Sequence, residues 1–219
     1  VIPPGQPAPS ISGVLPGLEI EVLPFRPVAI LASRVRREVF DAASPFSRTG
    51  DADWLAERTA AHHAVIHATG PCLPMRFGTL FPSLGAMQAW LAPRSGILKP
   101  ALAQAAHLTE WMLALREDPG RIVPWLETGA QEERRADLAR AEAAVTDWAQ
   151  ESRVALLADI GLGGLPAWTV LVPHERTRLM ARGGNLPGGL PKGLSLQLSG
   201  PWPAYGLAAA AMATEPAHV

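Results

Sequence analysis

The stretch "GPCLPMRFGTLFPS", residues 70–83, decides how the chain is read. Leu73 to Phe81 has the length and the bounding prolines of a strand, and a strand is predicted there. Alternation places Pro74, Arg76 and Gly78 on one side and Leu73, Met75, Phe77 and Thr79 on the other, so one face suits a core and the other does not. A buried, unpaired guanidinium would be very costly, and Arg76 therefore needs a carboxylate, carbonyls or water around it.

Working outward, "LEIEVLPF" (18–25) sets Leu18, Ile20 and Val22 against Glu19 and Glu21, the alternation of a half-buried strand. "PVAILASRV" (27–35) predicts a second, more buried strand paired antiparallel with it after a Pro-bounded turn. Asp51 or Asp53 caps a helix to about Thr69, with Leu55, His62, Ile66 and Thr69 near one stripe and Gly70-Pro71 as its stop. Beyond the 70–83 stretch, Ser83 caps a short helix that Pro93 ends, and a further helix is predicted from Ile97 to about Ala106. "TEWMLALR" (109–116) reads as a buried strand. A long helix is predicted at about 131–160, with a break possible near Glu151 to Arg153. Then come a strand at "AWTVLVP" (167–173), a short helix around Arg176 to Arg182, and a last strand at "LSLQLSG" (194–200). This order is α+β, without internal repeats.

At 219 residues the chain is long enough for two domains, and 19 basic against 20 acidic residues leave a net charge of -1. No global field attracts nucleic acid or an anionic membrane. No apolar run approaches the length of a spanning helix and no basic-then-apolar leader opens the chain, so a soluble protein is expected. The single cysteine, Cys72, excludes an intramolecular disulfide framework and fits a reducing, cytoplasmic compartment. With 48% hydrophobic and only 18% charged residues, the chain leaves room for an apolar surface that a partner covers.

The candidate chemistry is thin. His63 and His67 stand at i and i+4, a spacing that can chelate zinc, but no further ligand follows at a recognisable interval, and no metal is expected. "GLGGLP" and "GGNLPGGLPKG" lack both the Gly-Lys-Ser/Thr ending and the strand–loop–helix context of a phosphate loop, and read as connectors. Cys72 reads as a buried, inert thiol, and no Ser/His/Asp constellation appears. No cofactor and no catalysis are expected.

Taken together, "AAHHAVIHATGPCLPMRFGTLF", "TEWMLAL", "VLVP" and the closing "GPWPAY" resemble the gas vesicle GvpL/GvpF family. The family's motif positions fall on His62, on Pro74, Met75, Arg76, Phe77, Gly78 and Thr79, on Glu110 and Trp111, and on Gly200, Pro201, Trp202 and Tyr205. Ala204 stands where a second Pro is usual, Gly206 and Leu207 replace a Ser-Phe pair, and the family's opening aromatic strand is absent before Val1. The resemblance implies two α+β domains: residues 1–82, a modified ferredoxin-like domain with its first strand missing, and residues 83–219, helix-rich, with three strands and a terminal tail that is less ordered after Leu207. It also implies a cytoplasmic, wall-associated accessory or minor component of gas vesicles, which supports assembly by binding the small hydrophobic shell protein and other accessory proteins. The alternatives are a purely structural wall component and a nucleotide- or metal-dependent enzyme. For Arg76 a pin to a carboxylate such as Glu110 is favoured over a partner contact, because a partly buried Arg is usually held by bidentate pairing. For Trp202, packing at a core edge is favoured over exposure to a partner.

Overall fold

The computed structural model describes residues 1–42, 44, 47–118, 131–160, 164–183 and 186–213. They form two compact units, one of Val1–His107 with Pro203–Val219 and one of Leu108–Trp202. The division therefore falls after His107, whereas a boundary was expected near Phe81 to Ser83. Two helices, α3 (Leu84–Leu91) and α4 (Ser95–Ala105), account for the difference. The buried face of α4, Leu98, Ala101, Leu102 and Ala105, packs with β2 and with the last helix, all within the first unit.

In the first unit, β1 (Glu21–Phe25) and β2 (Val28–Ala32) form an antiparallel hairpin. Its register sets Leu23 opposite Ile30 and Phe25 opposite Val28. Both faces of β2 are covered, with Val28 and Ile30 buried on one and Ala29 on the other; in β1 Leu23 and Phe25 are partly buried opposite Ile30 and Val28, while Val22, opposite Leu31, is 37% exposed. The alternation predicted for β1 is thus shifted by one residue. After a four-residue α1 (Arg37–Phe40), the 18-residue α2 (Ala52–Thr69) begins where the Asp51 side chain accepts a hydrogen bond from Trp54 N at 3.0 Å. It ends at Gly70, whose φ of 77° few other residues tolerate.

The predicted strand at 73–81 is not one. Leu73 and Val1 exchange both backbone hydrogen bonds, each at 2.9 Å, while Ile2 and Ala29 exchange theirs at 2.8 and 2.9 Å. Two reciprocal pairs of this kind are what antiparallel neighbours make, so Val1 and Ile2 lie between the edge of β2 and the segment around Leu73. Past that point the chain turns, because Thr79 N and Oγ1 both donate to the Arg76 carbonyl, at 3.1 and 2.7 Å, and Gly78 takes a φ of 81°. Pro71, Pro74 and Pro82 offer no backbone donor to a ladder. Ile2, Ala29, Ile66 and Cys72 form the small core beneath, with Leu31 and Tyr205 against it.

The tail belongs to this unit as α7 (Tyr205–Ala213), a helix where loose chain was expected after Leu207. Leu207, Ala208 and Ala211 are buried, and α7 packs on α4. Arg94 fastens its end, donating from Nε to the Met212 carbonyl at 3.0 Å while its guanidinium lies 4.2 Å over the Trp90 ring.

The second unit is an antiparallel sheet of order β4-β5-β3-β6, made of β3 (Leu108–Glu117), β4 (Ala155–Ile160), β5 (Pro166–Pro173) and β6 (Leu194–Trp202). The long helix α5 (Gln131–Ser152) stops where Arg153 takes a positive φ of 52°, and residues 155–160 become a strand rather than its continuation. The unit thus has four strands, not three. Trp111, Leu113 and Leu115 of β3 and Trp168, Val170 and Val172 of β5 meet Ala141, Val145, Trp148 and Ala149 of α5 and Met180 of the short α6 (Thr177–Ala181) in one core. Arg134 of α5 grips Glu117 at the end of β3 with two hydrogen bonds of 2.9 and 3.0 Å.

Two stability predictions follow from this packing. Removing the chain after Tyr205 strips buried apolar surface from α4 and should cost about 3 kcal/mol, by the usual value of a buried Leu plus smaller side chains; an unchanged melting temperature would contradict the observed role of α7. Gly200→Ala places a Cβ 2.9 Å from the Trp111 ring at a φ of 145° and should lower the melting temperature through a loss of about 2 kcal/mol or more.

Candidate functional site

The motif residues fall into two groups. In the second unit they are structural: Glu110 and Trp111 are 4% and 3% exposed on β3, and Gly200 is a close-approach glycine against the Trp111 ring and the Glu110 carbonyl. Trp202 departs from the expected packing, since its indole is 43% exposed at the end of β6, with Nε1 donating to Ser199 Oγ at 3.2 Å.

In the first unit the motif lines a surface. His62, midway along α2, lies with Nε2 3.1 Å from the Met75 carbonyl and holds the extended segment to the helix. Its ring stands 5.8 Å from Phe77 and 6.4 Å from Tyr205, and Tyr205 is 5.7 Å from His63. Burial lowers the His62 pKa, against the opposing effect of the Met75 carbonyl. Burial also raises the Cys72 thiol and pushes the Tyr205 phenol up to about 12. Each shift favours the neutral form of its group, in keeping with the close ring packing of His62, His63, Phe77 and Tyr205.

Arg76 corrects the expectation placed on it. Its side chain is exposed and makes no hydrogen bond or ion pair among the described residues, so the carboxylate pin is absent. The turn that follows Pro74 carries the guanidinium outward, where water satisfies it without a partner. Gly78, Thr79, Leu80 and Leu84 are also exposed, Leu80 by 41% and Leu84 by 48%.

Beside this turn opens a cleft of about 570 Å³, lined by residues of the first unit that include Leu31, Phe40, Met75, Phe77 and Met87. Leu80 and Leu84 were missed from the sequence as site residues, although two leucines beside a glycine turn were the available signal. The chemistry offered is mainly apolar contact, with Arg76 and the Glu21-paired Arg34 among the lining residues. Among the described residues no group of three His, Cys, Asp or Glu side chains could hold a metal ion, and no helix is long and apolar enough to cross a membrane.

A profile described as "Gas vesicle synthesis protein GvpL/GvpF" matches residues 1–124. The fold is similar to the crystal structure of gas vesicle protein GvpF from Anabaena sp. PCC7120, with a TM-score of 0.60 and 16% identity over 93% of this chain and 92% of that one. It is likewise similar to the crystal structure of GvpF from Microcystis aeruginosa, with a TM-score of 0.62 and 15% identity over 94% and 95% of the two chains. At such identities the likeness concerns the fold, and no curated protein matches. Because the profile spans more than half of its length, the chain belongs to the GvpL/GvpF family of gas vesicle synthesis proteins.

Proposed function

We propose that the protein serves gas vesicle assembly as a non-catalytic accessory component in the cytoplasm, binding the small hydrophobic shell protein through the cleft of its first unit. The observation that carries this reading is the turn after Pro74, which exposes Arg76, Leu80 and Leu84 at the mouth of an apolar cleft. A soluble domain gains nothing in stability from exposed leucines, whereas a carrier needs apolar surface to cover a subunit that would otherwise aggregate. The lateral order β1, β2, Val1–Ile2 and Leu73 supports the ferredoxin-like reading of residues 1–82, in which these pieces share one sheet.

The test is affinity capture of the shell protein co-expressed with this chain. Contact through Leu80 and Leu84 should survive about 0.5 M NaCl, where the Debye length is only a few Å. Leu80→Ser with Leu84→Ser should abolish capture, while Arg76→Ala should weaken it and leave the melting temperature unchanged, since the exposed guanidinium holds no partner within the chain. Capture that persists in the double leucine variant would move the contact elsewhere, and no capture by the wild-type chain at any salt concentration would sink the carrier reading in favour of a purely structural wall component.

A further inference from the structure

Among the described residues β6 has no strand on its outer edge, and its sequence there is unusual. Residues Ser195-Leu196-Gln197-Leu198-Ser199 read the same in both directions, and no charged side chain occurs from Gly193 to Trp202. β6 is the outermost strand beside β3, a position that soluble proteins commonly guard with Lys, Glu or an early Pro. Here the first proline is Pro201, near the strand's end.

The hydrogen bonds show which backbone groups face outward. Asp118 N donates to the Gly193 carbonyl at 2.9 Å, so Gly193 points toward β3, and by alternation Ser195, Gln197 and Ser199 do too. The N–H and C=O groups of Leu196 and Leu198 therefore point to the outer edge. Their side chains lie on the core face, only partly buried against the cluster around Trp111 and Val145. On the opposite face Ser195 and Gln197 are exposed, and the Gln197 Oε1 accepts from Arg116 Nε at 2.7 Å.

We infer that β6 is a self-pairing edge, joining two copies of this chain antiparallel about a twofold axis at Gln197. A closed twofold contact must be self-complementary, and a palindromic strand is so by construction. In this register Leu196 faces the partner's Leu198 and exchanges both backbone hydrogen bonds with it. The second, symmetric pair completes four bonds and joins the partly buried leucines of the two copies in one apolar layer. Ser195 faces the partner's Ser199, and each Gln197 meets its own copy.

Sedimentation velocity of the purified chain between about 1 and 100 µM should show a concentration-dependent monomer–dimer equilibrium, as a modest interface of this kind allows. Ser195→Lys with Ser199→Lys puts like charges opposite one another twice and should raise the dimer Kd at least about tenfold. Ser195→Lys with Ser199→Glu sets opposite charges at the same two places and should keep the dimer. Both pairs sit on exposed or half-exposed positions, and circular dichroism melting confirms that each variant folds; Gln197→Lys, which meets itself on the axis, is the second disruptor should the first not fold. A wild-type chain that stays monomeric across the range, or two double variants that behave alike, overturns the inference.

Discussion

The first unit depends on what happens at its first two residues. Val1 and Ile2 exchange backbone hydrogen bonds with Leu73 on one side and Ala29 on the other, and these four bonds are the link between the β1–β2 hairpin and the segment after α2. A two-stranded hairpin is marginal alone in water. With its edge engaged by Ile2, the hairpin gains a shared core with α2 through Ala29, Ile66 and Cys72. The segment at 72–75 is held by the same contact, with His62 fastening Met75 from the helix side. The later turn, and the exposure of everything it carries, follow from where that extended piece is anchored.

Much of the architecture was legible because it rests on local chemistry. The capped start and glycine stop of α2, the Ser83 cap of α3, and strands β3, β5 and β6 appear where alternation and capping placed them. What failed depended on long-range pairing. Residues 73–81 carry strand composition, but a strand requires partners for its donors, and Pro74 with the turn at Arg76–Thr79 leaves Leu73 as the residue with a reciprocal pair. Residues 155–160 prolong the apolar seam of α5 in sequence, yet Arg153 breaks the helix and β5 supplies the ladder. Likewise the alanine-rich tail has no stripe that marks one buried face, so only the presence of α4 beside it makes α7 legible.

The motif residues divide by the work that their neighbours leave them. Trp111 and Gly200 must fit one another, because any side chain at 200 would enter the indole ring, and Glu110 is buried on the same strand. Such positions are constrained by packing. Arg76, Gly78 and Thr79 lack that excuse: the hydrogen bonds of Thr79 to the Arg76 carbonyl shape a turn, but nothing in the described structure uses the guanidinium. A turn can be made with many residues at its first position. An exposed arginine on this turn, beside two exposed leucines, is what the proposed contact with the shell protein would use.

The distribution of charge carries the same argument to the whole chain. Only 18% of residues are charged, and α5 alone carries a dense share, including Glu132, Glu133, Arg134, Arg135, Asp137, Arg140 and Glu142. What remains is spread so that residues 70–83 contain a single charge, Arg76, and residues 193–202 none. Both stretches nonetheless reach the surface, through Leu80 in one and Trp202 in the other. Charge depletion on exposed segments favours association, since like-charge repulsion and desolvation penalties are what ordinarily keep such surfaces apart. Two separate surfaces in two separate units are thus left without the usual barrier to contact, one a cleft with a cationic rim and one a strand edge that matches itself.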